Sequence, residues 1–519
     1  MKKILITILL TAMLLSALAA CAPAGDLPNE SPSQSSGSAP TPESSAPPAE
    51  SKAPSTEDTA PYNSVTAIPE DLDYSNKEIQ FISREFSIYN DELTVEGTTG
   101  DPIIDAIYQR NINVETQLGV TIVNNKMSPG ADFYANFDVI NKVKNEMEAN
   151  AYNYDIMFSP SFACVFRTSD ALWEDLTNVS YIDLDREYWS QNYNDQVRIG
   201  NRQYFATGPI SLSLQRMIYA TMFNKTLAEQ YNYEDLYQVV KEGRWTMDYQ
   251  DQIVANTFNE MDGVEGPTKG DFYGFISNTN LSTDPYWTIW DVDIFKRTDD
   301  DYLEYEFDTE SATNYVTKVV DFYWSNDGVY LYLPVGEGDE QADIRKHFTD
   351  GRSIMAHLKL QEVETEDMRT MEDPYGILPL PKYEENDKPY YSSAFHAFTC
   401  VGILRGQTTG EVDMCGAVLE AMACESYNVV QPAYYEVALK GKYSKDPQSW
   451  EMLDNMMQNF RVDQDFLYSS TDSFDILQQF RSAVYNKSRS FGASLSLQQK
   501  RLKITLNQLI DKIRAIHGD

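Results

Sequence analysis

The sequence predicts an α/β protein divided into two lobes, on three observations. With 519 residues the chain exceeds what one hydrophobic core holds, and 42% hydrophobic residues supply a sizeable apolar interior. Between residues 78 and 158 strand and helix patterns alternate, which implies right-handed crossovers and a mainly parallel sheet with helices on its faces. Farther on, residues 348–350 read as a helix end, Gly351 supplies the left-handed residue that closes it, and residues 353–356 run on as a short apolar strand.

The N-terminus carries an export signal. Lys2 and Lys3 form a positive region, residues 4–15 an apolar one, and Leu18-Ala19-Ala20-Cys21 matches a bacterial lipobox. The apolar run is too short for a transmembrane anchor and ends in small residues. Residues 1–20 are therefore expected to be a leader, and Cys21 the lipid-modified first residue of an exported chain held at the extracytoplasmic face of the membrane. From there to residue 74 we expect a tether. Its Pro, Ser, Ala and Glu offer few large apolar side chains to offset the entropy of ordering.

The formal charge is -38, and -40 once Lys2 and Lys3 leave with the leader. An acidic excess of this size argues against nucleic acid and anionic surfaces as partners. Cys164, Cys400, Cys415 and Cys424 form no C-x-x-C and have no His at zinc spacing, so buried free thiols are expected and no structural zinc.

In the folded part, residues 78–83 (EIQFIS) read as the first strand. Pro102 starts a helix on which Ile103, Ile107, Val114 and Leu118 recur at helical spacing, and Gly119 caps it. Residues 120–123 form a β-branched strand. Phe133, Phe137, Ile140 and Met147 mark a second amphipathic helix, and residues 154–158 a third strand. Near the other end, Leu502, Leu506, Leu509, Ile513 and Ile516 give the last helix an apolar stripe.

Several stretches together resemble the extracellular solute-binding protein family 1 group, the substrate receptors of ABC importers related to maltose-binding protein. They are DIMFSPSFACVFRTSDALWEDL (155–176), the Asn224-Lys225-Thr226-Leu227 strand end, the Gly243-Arg244-Trp245-Thr246 turn, and HFTDGRSIMAHLKL (347–360) followed by Gly376 to Pro381. They occur in the family's order. The resemblance implies a periplasmic-binding-protein-like fold with three interlobe crossings. It places lobe one at 75–208 plus 355–431 and lobe two at 209–354 plus 432–519.

Ligands of open α/β sheets sit beyond the carboxyl ends of strands. On that ground Ser159, Ser161, Phe162 and Arg167 are candidates in the first lobe. In the second, Trp287 and Trp290 of DPYWTIW are candidate plates for the apolar faces of sugar rings, weighed against plain core packing. The resemblance adds Ser392, Ser393 and Phe395 at the cleft mouth, with Tyr434 and Tyr435 beside a lobe crossing, whereas His396 reads as an ordinary polar residue. Maltose-binding relatives place an acid and a base in the first-lobe loop where this chain has Phe162 and Ala163. That points to a more aromatic site or a different solute, and Arg167 has two readings, a contact to a uronic acid or a surface ion pair.

The chain contains no H-E-x-x-H, G-x-S-x-G, Walker A or G-x-G-x-x-G motif and only four histidines. Met261 and Val264 interrupt the oxygen ligands that a calcium loop at 259–271 needs. We therefore expect neither catalytic residues nor a metal or cofactor. The implied function is a monomeric surface lipoprotein that captures a small solute, an oligosaccharide, and delivers it to permease subunits. The competing readings are a surface-anchored glycoside hydrolase or lyase, and a sugar-sensing partner of a membrane kinase.

Overall fold

The structure, a computed structural model, describes residues 62–85, 91–128, 137–278, 281, 283–333, 340–444, 446–468 and 476–518. The leader, Cys21 and most of the tether lie outside the described residues, as does Phe133. Residues 62–74 do not behave as tether. Ile68 is buried, Ser64 N–H donates to Asn428 Oδ1 at 2.8 Å, and the Ser64 hydroxyl donates to Glu187 at 2.6 Å, so the body begins earlier than its composition implies.

The chain opens with β1 (Lys77–Arg84), α1 (Pro102–Leu118), β2 (Val120–Met127), α2 (Asp138–Glu148), β3 (Ile156–Pro160) and the short α3 (Ser161–Phe166). Local chemistry sets α1. Asp101 Oδ1 accepts from Ile103 N–H at 3.0 Å, Pro102 takes the first turn where no donor is needed, and Gly119 at φ 59° ends the helix. Ile103, Ile107, Val114 and Leu118 are all buried.

The middle of the chain supplies β4 (Tyr219–Asn224), β5 (Tyr273–Asn278), α4 (Asp284–Ile289), β6 (Val329–Tyr332), β7 (Ser353–Lys359) and β8 (Tyr375–Leu378). After these come β9 (Ser392–Ser393), β10 (Thr399–Ile403), α5 (Thr409–Glu425), β11 (Phe460–Arg461) and the terminal α6 (Phe491–His517). The turns read from sequence form as expected. Asn224 Oδ1 caps the next helix through Leu227 N–H (3.0 Å), Thr246 Oγ1 does the same through Tyr249 N–H (3.1 Å), and Gly351 sits at φ 70°.

These strands make two main sheets. The first is four-stranded in the order β10-β3-β1-β2, and the second five-stranded in the order β8-β4-β7-β5-β6. Most strands in each sheet run one way, with one exception apiece. β1 runs parallel to β2 and β3, and β5 to β6 and β7; β8 pairs antiparallel with β4, which itself pairs antiparallel with β7, so β4 alone opposes the second sheet as β10 opposes the first. β4 is the first strand of its sheet and β10 returns from the second sheet, so no crossover helix fixes the direction of either.

Sheet membership also moves a lobe boundary. The position expected at residue 355 falls inside β7, and both β7 and β8 belong to the five-stranded sheet. The chain re-enters the first sheet only at β10. One apolar core runs from α1 and α2 through the second sheet to α6, and a second cluster packs α5 and α1 against the first sheet.

The loop at 259–271 is held by its own carboxylates. Asp271 accepts from Met261 N–H and Thr268 N–H, each at 2.9 Å, and Asp262 accepts from Val264 N–H at 2.8 Å. The Met261 amide holds the Asp271 carboxyl below its usual range. Among the described residues no group of three or more His, Cys, Asp or Glu side chains could hold a metal. The four cysteines are free and buried.

Candidate functional site

The chain passes between the two sheets along neighbouring segments. Ile218 bridges Ala394, and Phe395 N–H donates to Met217 O at 3.0 Å. Three elements meet there. From the first sheet, β3 ends at Pro160, and α3 is pinned on the same chain by Ser161 N–H to Phe398 O (2.9 Å) and Phe162 N–H to His396 O (3.3 Å). The second is β9 with the residues that follow it. The third is α4, from the second sheet's side.

Between them lies a small cavity of about 10 Å³, bordered by Asp284 and Thr288 of α4, by Ser393, His396 and Phe398, and by Arg461 and Asp463. That is room for about one water and far too little for a sugar ring. Asp284 has no side-chain exposure. Arg481 grips it in a fork, Nε to Oδ1 at 2.8 Å and Nη2 to Oδ2 at 2.5 Å, and Thr283 Oγ1 donates to it at 3.0 Å. The Ser393 hydroxyl is buried, borders the cavity and has no hydrogen-bond partner among the described residues. Burial pushes the His396 imidazole well below its ordinary range, so it is neutral.

Aromatic rings back this cavity on the first-sheet side. Phe162 packs edge-on against His396 (4.8 Å) and Phe137 (5.7 Å), Phe395 packs on His396 (4.6 Å), and the Lys359 ammonium lies 4.9 Å from the Phe395 ring. Nearby, at the carboxyl end of β1, sits a buried charged cluster. Glu92 accepts from Ser213 N–H (3.0 Å) and from the Thr399 hydroxyl (2.5 Å), while Arg84 donates to Thr399 Oγ1 (3.2 Å) and to Ala397 O. Both charged side chains are bonded to the protein itself, and neither borders the cavity.

Some of the sequence candidates converge here and others do not. Ser393 borders the cavity, and Phe162 and Phe395 pack on His396, which borders it too. Ser161 Oγ is spent on Tyr193 OH (2.8 Å) and Ser392 Oγ on Met456 O (2.5 Å), and Ser159 is wholly buried in β3 opposite Cys400. Trp287 is 2% exposed, stacked on Phe307 at 6.2 Å and 3°. Trp290 is 5% exposed, with Nε1 donating to Pro381 O at 3.1 Å. Both rings are packed against protein here.

Arg167 pairs with Asp170 (3.0 Å) and Asn141 (3.1 Å), the ion-pair alternative rather than a free guanidinium for a uronic acid. Tyr434 packs on Arg216, itself bound to Glu364, and Tyr435 donates to Asp454 at 2.8 Å, in a separate cluster. Sequence reasoning missed Asp284, Thr288, Arg461 and Arg481. Asp284 and Arg481 are 197 residues apart, and no local spacing announces such a pair.

Solved structures share this architecture. The galacto-N-biose-/lacto-N-biose I-binding protein of an ABC transporter from Bifidobacterium longum aligns with a TM-score of 0.53 at 11% identity, over 82% of this chain and 98% of that one. A cyclic alpha-maltosyl-1,6-maltose binding protein from Arthrobacter globiformis aligns at 0.52 and 13% identity, over 83% and 100%. A family 1 extracellular solute-binding protein from Bifidobacterium longum subsp. infantis aligns at 0.50 and 13% identity, over 84% and 100%. No protein-family model matches the sequence, and no curated protein matches it. The chain has the two-lobed α/β fold of extracellular solute-binding proteins.

Proposed function

We propose that this protein is the substrate receptor of an ABC importer, a family 1 solute-binding lipoprotein that captures an oligosaccharide between its lobes. The observation that carries the reading is the cavity itself. It lies between the sheets and is bordered by Asp284, which Arg481 holds from behind, by Arg461, the unpartnered Ser393 hydroxyl and Thr288, with Phe162 and Phe395 packed on His396 beside it. Sugar hydroxyls both donate and accept hydrogen bonds, so a carboxylate, a guanidinium and two hydroxyls suit their edges, and aromatic carbon suits their faces.

A cavity of about 10 Å³ has no room for a sugar ring, so in this reading the lobes separate to admit solute. Solute then shifts the population toward closure through its higher affinity for that form. Export and a lipid on Cys21 hold the monomer at the outer face of the membrane, and the closed form docks on separately encoded permease subunits. The chain makes and breaks no bond in this role.

A thermal-shift screen against mono- and oligosaccharides, uronic acids and peptides tests the reading, with the compounds recovered and analysed. A neutral oligosaccharide at a hundred times its dissociation constant is expected to add about 2.7 kcal/mol of stability and to come back intact. A saccharide returned cleaved would overturn the receptor in favour of the hydrolase.

A further inference from the structure

The terminal helix α6 reverses the charge of the chain that carries it. Lys500, Arg501, Lys503, Lys512 and Arg514 lie on it with a single carboxylate, Asp511, in a protein of formal charge -38. Arg514 is engaged by Asp300 at 2.6 Å. Lys500, Arg501, Lys503 and Lys512 are exposed and form no ion pair among the described residues.

The apolar side chains of α6 divide between two faces. Leu495, Leu502, Leu506, Ile510 and Ile513 are buried against the body. On the opposite face Leu497 is 88% exposed and Ile504 is 49% exposed, two turns apart in line. At the helical repeat, Lys500 and Lys503 flank this ridge on one side and Arg501 and Lys512 on the other, while the exposed Asp511 continues its line two turns beyond Ile504.

We infer that this face of α6 lies against an anionic lipid surface and orients the body upon it. An apolar ridge between two rows of cations matches such a surface. The apolar chains enter the headgroup boundary, and each nearby Lys or Arg is drawn to lipid phosphate. The acidic remainder of the protein does not cancel the attraction, because charges beyond about 8 Å are screened at physiological salt. A soluble acidic partner would satisfy the cations but would leave the line of Leu497 and Ile504 without a reason to face outward. This inference does not depend on which solute the cleft binds, or on whether it binds one.

The test is a lysine footprint on vesicles. The chain from Cys21 to Asp519 is coupled through the Cys21 thiol to a maleimide lipid, the other four thiols being buried. It is then acetylated on vesicles of phosphatidylglycerol or of phosphatidylcholine, and each amine is followed by mass spectrometry.

Lys500, Lys503 and Lys512 are expected to react roughly fivefold more slowly on phosphatidylglycerol, with recovery at about 0.5 M salt, where the screening length falls to a few ångströms. Lys269 and Lys346, 71% and 69% exposed, should be unaffected and serve as internal controls. Leu497→Asp, at a site where folding has nothing to lose, should weaken the protection. Equal rates on the two lipids, or equal slowing of Lys269 and Lys346, would overturn the inference. Protection on native membranes but not on protein-free phosphatidylglycerol would assign the face to an acidic membrane protein and would overturn it equally.

Discussion

Asp284→Ala is expected to weaken solute binding strongly and to destabilise the protein by about 3 kcal/mol, because it removes the buried carboxylate that the half-buried Arg481 guanidinium grips in a fork. The two effects have separate causes, and a second variant divides them. In Asp284→Ala/Arg481→Ala neither charge remains to be stranded, so most of the lost stability should return, while the groups that would meet solute hydroxyls are still gone. The coupling energy between the two sites is then large and favourable, as for residues sharing one bonded pair.

Binding should stay at least about a hundredfold weaker in both variants, the loss of roughly two charge-assisted hydrogen bonds. Urea unfolding and calorimetric titration with the saccharide found by screening read the two quantities independently. A double variant that binds like wild type would show the pair to be structural and would move the recognition of hydroxyls elsewhere in the cavity.

What the sequence made legible follows from the range of the interactions involved. The Gly119 and Gly351 helix ends and the alternation of β1, α1, β2 and β3 each depend on residues within a few positions, and each formed as read; the Asn224 and Thr246 caps are equally local. The lobe boundary near 355 did not, because which sheet a strand joins is decided by pairing with strands more than a hundred residues away. β7 takes β4 as its antiparallel neighbour across such a gap.

The same distinction runs through the site. Phe162 and Phe395 were named because strand ends and the segment at the cleft mouth locate them, and both pack on His396 beside the cavity. The aromatic run at 284–290 named the right helix but drew attention to its tryptophans, which the protein uses for packing, and away from Asp284 and Thr288, which border the cavity. Composition cannot tell an aromatic that faces a cleft from one that faces a core. An acid at the start of a helix reads as an ordinary first-turn residue until Arg481 is placed beside it.

Acidification from pH 7 to pH 5 is expected to expose a further cost built into the interior. Burial pushes the His357 imidazole down to about 3 and His347 down to about 4, and holds His396 well below its ordinary range. In the unfolded chain each titrates near 6.5. Above that value neither state is protonated and the groups contribute no pH dependence. Below it the unfolded chain takes up protons that the folded one refuses, so stability falls with pH from about 6.5 down to the folded values of about 3 to 4.

At pH 5 the cost is roughly 2 kcal/mol for each imidazole. Carboxyls that burial pushes up, those of Asp155, Glu420 and Asp465, act with the opposite sign, so the net slope of the wild type alone does not isolate the histidines. A difference does. His357 is 1% exposed, and its Nε2 lies 3.2 Å from Tyr286 OH. His357→Gln keeps a polar group there that does not titrate.

The variant is expected to be less stable than wild type at pH 7, where the packing and hydrogen bond of the imidazole are lost. It should recover about 2 kcal/mol relative to wild type at pH 5, one proton having been removed from the linkage. Unfolding free energies of both proteins at the two pH values measure this directly. Parallel pH profiles would mean that the imidazole takes up its proton within the folded protein, and that the interior around β7 opens to water before the protein unfolds.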